Sequence, residues 1–332
     1  MKWQFLILIV LIISFSSCKK SSKYIYNKGF AYGTMYSIIY ESPEGKDYQD
    51  EIDKEFRKYT LVFSPYEKES TISKVNQNKT VTLEPEFVTC FKKAMEISEI
   101  TNGAFDITAG SLVNAWGFGP TEKEKMTPEI VDSLMQITGY KKIQLKDGKI
   151  LKENPNINID MNAISKGYTS DLIADFLKNK GCENYMVEIG GEIVAHGKNA
   201  KNKFWTIGIS RPTEDLLASE SNLQAKLQLK NRAMATSGNY RNFYIENGKK
   251  YAHTIDPKTG YPVQHSLLSA TVIANNCMTA DAFATSFMVL GMEMGIEIAR
   301  QIPEIEIYFI YTDENGTTQT YMSENFGEYI IE

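Results

Sequence analysis

The spacing of apolar and polar positions divides the chain into elements before any residue is asked for chemistry. Residues 32–40, YGTMYSIIY, are rich in aromatic and β-branched side chains and read as a strand, after a short polar tether over residues 19–28. Residues 46–59 are charged and helical in period, and residues 85–100 form a second predicted helix with Phe87, Phe91 and Ala94 on one side. Between them, FSPYEKESTISKVN is loop-like and sets Ser64, Pro65 and Tyr66 at an exposed turn. A third helix is predicted over 165–180, burying Tyr168, Leu172, Ile173, Phe176 and Leu177 and ending at Gly181. The segment NYMVEIGGEIVAHG alternates as a hairpin does around Gly190 and Gly191. Beyond Phe204 strands dominate, interrupted by a helix over 278–291 and a short one over 294–301, before a terminal strand pair, EIYFIYT and TQTYMS. Helices and strands mix without a regular βαβ cycle, so the expected class is α+β, with a single compact catalytic unit of mixed sheets and helices.

The helix over 278–291 poses a chemical question. With Thr279 as its cap and Gly291 as its stop, its first turn sets Asp281 and Thr285 four residues apart among alanines, which stacks a carboxylate and a hydroxyl on one face. Two accounts stand side by side. An acid in the first turn offsets the helix dipole, and a helical Thr can bond back to the carbonyl four residues earlier. Alternatively the pair offers two hard oxygen ligands to a metal ion.

Composition narrows the partners. The chain has 332 residues, 42% hydrophobic and 23% charged, with a formal charge of −5 and no basic cluster beyond short pairs, which argues against nucleic-acid binding. The first eighteen residues, MKWQFLILIVLIISFSSC, order one lysine, an apolar run and small residues before Cys18, as an export signal does. Ser16, Ser17 and Cys18 look like a bacterial lipoprotein box, which predicts a signal peptide over 1–17, a lipidated Cys18 with its tether over 18–28, and a mature domain over 29–332. A simple cleaved signal peptide is the alternative; both predict export. Lys19, Lys20 and Lys23 would then lie beside anionic headgroups. Cys90, Cys182 and Cys277 lack metal or disulfide spacing and read as core residues.

Gly, small and polar residues concentrate in four places: TNGAFDITAGSLVNAWGFGP, IDMNAISKGYTSD, MATSGNYRNFY with AHTIDPKTGYPV, and the helix start ADAFAT. In this order and at these separations they resemble the ApbE-type flavin transferases, the FAD:protein FMN transferase family of membrane-anchored bacterial lipoproteins. The resemblance runs from about Gly29 to the C-terminus. It implies a fold like that family's, a Mg²⁺ site made by the Asp281 carboxylate, the Thr285 hydroxyl and the backbone oxygens of Ala284 and Ala163, and a pyrophosphate approaching the N-terminus of that helix. It implies FAD contacts at Tyr32, Tyr66, Ala104, Phe105, Asp106, Asp160, Lys166 and Ile255, where Tyr32 replaces a common Met and Lys166 replaces an acidic residue of some relatives. It also implies His253 as a base with Asp256 orienting it, and Ser237 and Arg241 near the site; His196 and His265 read as structural or exposed.

The implied reaction is transfer of FMN from FAD to a threonine or serine hydroxyl of a target protein, with AMP released. The expected acceptors are extracytoplasmic parts of electron-transport proteins such as subunits of sodium-pumping quinone reductases, and the expected location is the bacterial cell membrane, lipid-anchored and facing the periplasm. A Mg²⁺-dependent FAD pyrophosphatase, with water as acceptor, and a non-catalytic FAD-binding lipoprotein are the alternatives.

Overall fold

Eight strands form one sheet in the order β1-β2-β5-β6-β9-β12-β13-β14, and every neighbouring pair in it is antiparallel. They are β1 Lys23–Ala31, β2 Thr34–Ser42, β5 Tyr185–Ile189, β6 Glu192–His196, β9 Arg232–Gly238, β12 Leu267–Ala274, β13 Glu306–Thr312 and β14 Thr318–Met322. The computed structural model describes residues 23–119, 122–212, 222–239, 243–246 and 249–331; the expected leader, Cys18 and Arg241 lie outside these.

One face of the sheet is covered by helices. The long α6 Asn162–Asn179 and α7 Cys277–Arg300 lie against it, with α1 Gln49–Phe63 and α3 Pro85–Ile100 packed outside them. Helix α1 directs Ile52, Phe56, Tyr59, Val62 and Phe63 inward, and α3 directs Phe87, Cys90, Phe91, Ala94 and Ile97. Both stripes follow the helical period that puts one face on a core. On the opposite face the hairpin β7 Trp205–Ser210 and β8 Leu223–Leu229 closes a second apolar cluster, in which Trp205, Ile207, Leu227 and Leu229 meet Ile193, Met234, Ile273 and Tyr308. Strand β12 has both faces covered and is buried along most of its length, in keeping with its mostly apolar run LLSATVIA. A third cluster, Leu112, Trp116, Val131 and Ile255, joins α4 Gly110–Ala115 and α5 Pro128–Gln136 to the loop after β11 Lys249–Ala252.

The α+β class and single unit are as expected, and several boundaries are not. The segment 23–28, expected as tether, belongs to β1, which pairs residue for residue with β2 from Lys23↔Ser42 to Ala31↔Thr34. Lys23 is therefore a strand residue. Tyr32 stands in the two-residue turn between these strands, with φ of 52° beside 74° at Gly33, the left-handed pair that a tight hairpin needs. A polar, weakly alternating strand such as KYIYNKGFA carries little one-faced hydrophobic signal, which is why composition made it a tether. Within FSPYEKESTISKVN a short helix, α2 Thr71–Asn76, forms behind Ser70, whose hydroxyl accepts from the Ser73 amide at 3.1 Å. The remaining strands are the β3–β4 hairpin, Ile143–Lys146 with Lys149–Lys152, and β10 Phe243–Glu246 paired with β11.

Helix α7 begins two residues before Thr279. Asn276 is its N-cap, accepting from the Thr279 amide at 2.9 Å. Gly291, with φ of 76°, breaks α7 into two segments, so the expected stop is a kink after which the helix resumes. His265 braces the break by donating from Nε2 to the Met288 carbonyl at 2.8 Å, and exposed His196 donates from Nδ1 to the Glu183 carbonyl at 2.9 Å.

Candidate active site

Helices α6 and α7 cross where α6 carries Gly167. A methyl group there would lie 2.4 Å from the Cys277 carbonyl oxygen and 2.7 Å from the Asp281 Cβ, so the crossing requires glycine. That closeness lets the Gly167 amide donate to Asp281 Oδ2 at 2.9 Å, holding a carboxylate that is 2% exposed. Burial raises the Asp281 carboxyl above its ordinary value, and the Lys166 ammonium pulls it back. Thr285, one turn on, faces Ser237 of β9 with 3.3 Å between the hydroxyl oxygens instead of closing back on its own helix. The register of β9 against β12, Ala270↔Ser237, carries Ser237 to that point.

Asp281 is in the second turn of α7, so it does not serve as a dipole-offsetting acid. That position is filled from α6: Asp171 accepts from the Cys277 amide at 2.7 Å and from the Met278 amide at 2.8 Å. With Asn276 on Thr279, the amides of the first three residues of α7 are satisfied by side chains within the protein. The amides at this helix N-terminus are therefore held by an internal cap.

Asp281 and Thr285 instead face a cavity of about 1090 Å³, bounded by the β1–β2 turn, the 64–66 turn, the 104–118 loop, the start of α6, the end of β9 and the segment after β11. The cavity brings together Tyr32, Tyr66, Ala104, Phe105, Asp106, Asp160, Ala163, Lys166, His253, Ile255, Asp281 and Thr285. Tyr32 donates its hydroxyl to the Phe56 carbonyl at 3.1 Å, and burial pushes it up to about 12. Tyr66 stands exposed at the rim. Two of the expected contact residues are occupied by their own loops. Asp106 accepts from the Thr108 amide and hydroxyl and the Tyr140 amide, at 2.8, 2.6 and 2.7 Å, while burial raises its carboxyl. Asp160 accepts from the Asn162 amide at 2.7 Å, and burial raises it also.

Lys166 is ion-paired with Glu192 at the start of β6. Burial would lower the Lys166 ammonium, but Glu192 and Asp281 together hold it above its ordinary value. Burial raises the Glu192 carboxyl, with Lys166 opposing it. Glu192 lines the cavity and was not foreseen; only its place directly after Gly190-Gly191, where a strand begins on the helix-covered face, could have singled it out.

Two expected residues lie elsewhere. Ala284 is fully buried and does not line the cavity. Asp256 does not line it either: its carboxylate accepts from the Lys258 amide at 2.9 Å, and its amide and carbonyl bond Tyr261 and Gly260 at 2.9 and 2.8 Å. It builds the turn after His253 and does not form the expected base-orienting pair. His253 does reach the cavity, edge-on to Phe118 with ring centres 6.3 Å apart.

The site fits a hard divalent cation on its chemistry. Among the described residues no group of three or more His, Cys, Asp or Glu is placed for a metal. Asp281, Thr285 and Ser237 offer oxygen only, and Glu192 Oε2 is buried without a hydrogen-bond partner. Such an atom costs about 1–3 kcal/mol, and more when charged. Two buried carboxylates share one ammonium, and a bound cation would favour the ionised form of both.

Sheet, helix pair and cavity define an α+β enzyme scaffold with a large ligand cavity lined by aromatic, small and oxygen-bearing residues. The chain belongs to the ApbE family, whose sequence profile matches residues 32–309. The FAD:protein FMN transferase of Haemophilus influenzae is 36% identical over 326 residues, covering 94% of this chain and 93% of that protein. The Vibrio cholerae protein of the same name is 34% identical over 334 residues, 98% of each chain. Among solved structures, flavin transferase ApbE from Vibrio cholerae matches with a TM-score of 0.82 at 34% identity, over 93% of this chain and 99% of that one. The apo form of the Pseudomonas stutzeri flavinyl transferase ApbE matches with a TM-score of 0.82 at 28% identity, over 92% and 96%.

Proposed function

We propose that the chain transfers FMN from FAD to a threonine or serine hydroxyl of a target protein. The acceptor oxygen bonds to the FMN phosphorus, the pyrophosphate bond breaks, AMP leaves, and the hydroxyl proton passes to a base. The observation that carries this reading is the buried Asp281, beside Thr285 and Ser237, opening on a cavity large enough for a dinucleotide in a chain of this family. Phosphoryl displacement relies mostly on positioning and charge neutralisation, and the residues divide along those lines. Tyr32, Tyr66, Phe105 and Ile255 offer apolar and aromatic surface to the flavin and adenine rings, and the small Ala104 and Ala163 leave room beside them. Lys166 supplies a fixed positive charge for phosphate oxygens. Asp281, Thr285 and the backbone around Ala163 would hold Mg²⁺, which as a Lewis acid neutralises charge building on the pyrophosphate. His253 is the cavity-lining group suited to take the acceptor proton.

On the same reading the leader over residues 1–17 exports the protein and lipid on Cys18 anchors it at the bacterial cell membrane, facing the periplasm. The acceptor is then an extracytoplasmic segment of an electron-transport protein, such as a subunit of a sodium-pumping quinone reductase. No helix among the described residues is long and apolar enough to cross a membrane. The test is mass spectrometry of a threonine-bearing acceptor after incubation with the protein, FAD and Mg²⁺. An FMN adduct on one hydroxyl is expected; free FMN and AMP with unlabelled acceptor would replace the transferase by a pyrophosphatase.

A further inference from the structure

Beyond its ion pair with Lys166, Glu192 has the geometry of a working group. It opens β6, is 3% exposed and lines the cavity. Its backbone is fixed, the carbonyl accepting from the Ser170 hydroxyl at 3.2 Å. Its carboxylate is fixed from one side by Lys166 on Oε1, while Oε2 is buried and has no partner. Asp281 lines the same cavity, held by the amide of Gly167, the residue next to the Lys166 that pairs with Glu192. A second carboxylate with one oxygen clamped and the other without a partner, on the cavity that Asp281 and Thr285 also line, is what a hard cation recruits directly or through its waters.

We propose that Glu192 is a further carboxylate of the cation site, with Oε2 turned to the divalent ion or to a water the ion carries, and Lys166 as the clamp that orients it. This rests on the cation reading of Asp281 and Thr285 given above. The rival is a purely structural Glu192 that serves as counter-ion to Lys166. The two separate because Lys166→Met with Glu192→Gln removes one charge of each sign, so the net charge of the cluster is unchanged; Asp281 loses its neighbouring ammonium, which on charge alone would not weaken cation binding, so weaker binding reads the lost ligand.

Mn²⁺ is titrated into the full chain without FAD, with the free ion read by electron paramagnetic resonance and folding checked by thermal melts. Asp281→Ala and the Lys166→Met/Glu192→Gln pair should each weaken Mn²⁺ binding by about tenfold or more, as loss of inner or outer metal partners does. Glu192→Asp, which keeps the charge but shortens the reach, should weaken it about threefold or more. The double variant or Glu192→Asp binding Mn²⁺ like the wild type, while Asp281→Ala does not, would overturn the role of Glu192 and leave the cation reading standing. Wild-type protein that takes up no Mn²⁺, or an Asp281→Ala variant that takes it up unchanged, would remove both.

Discussion

Position 167 sets local preference against tertiary contact. Inside a helix, alanine is favoured over glycine by about 1 kcal/mol. At Gly167 the added methyl would meet the Cys277 carbonyl oxygen at 2.4 Å, and a backbone atom cannot swing aside as a flexible side chain can. Overpacking of this kind costs about 1–3 kcal/mol and displaces α7 from α6. Gly167→Ala should therefore lower the melting temperature by several degrees in a thermal melt, against the sign that propensity alone predicts. Asp281→Asn isolates chemistry from packing. The amide oxygen still accepts from Gly167, so the melt should stay near that of the wild type, while FMN transfer falls about a hundredfold or more because the ligand charge is gone. A variant that keeps its transfer rate at saturating Mg²⁺ would remove Asp281 from the cation site.

Among the elements, α7 shows what a single sequence conveys and what it hides. Its oxygen pair was legible because Asp281 and Thr285 are four residues apart, and the break at Gly291 was legible because glycine takes a positive φ freely. Its cap was not, since Asp171 is 106 residues away and belongs to another helix. The Lys166–Glu192 pair was hidden for the same reason, because the α6–β6 packing that joins it is tertiary. For Asp256 the resemblance implied a pair with His253, whereas its carboxylate, two residues before the Lys258 amide, closes an Asx turn. Asp171→Ala should cost about 1–2 kcal/mol in a urea titration, since two amides of α7 lose their acceptor together. Burial pushes Asp171 up to about 7 from an ordinary 3.8, against the lowering effect of those amides. A folded value above the unfolded one means that the folded state binds the extra proton between them, so this group's contribution falls as pH rises from about 4 to about 7 and is level above. Asp171→Asn should flatten that part of the stability profile relative to wild type.

For the whole molecule the sharpest consequence lies at the sheet edge where the tether was expected. Strand β1 contributes nine paired positions to β2, and its outer side has no further strand in the sheet order. Within 23–28, Asn27 is 4% exposed and donates to Asp47 Oδ1 at 2.9 Å, while Tyr24 donates to the Lys198 carbonyl at 2.8 Å and lies against Trp205. Asp47 in turn accepts from the Gln49 amide at 2.9 Å, so β1 steadies the entry to α1. A chain beginning at Gly29 would lose these ties and bare the β2 backbone next to an apolar strand, the kind of edge that invites association. It should melt below a chain beginning at Lys23 and show concentration-dependent association by light scattering. It should also bind FAD more weakly, because Tyr32, Gly33 and Thr34 form the wall of the cavity where β1 turns into β2. Equal melting temperatures and equal FAD affinity for the two chains would restore residues 23–28 to the role of a tether, with the folded domain starting at Gly29.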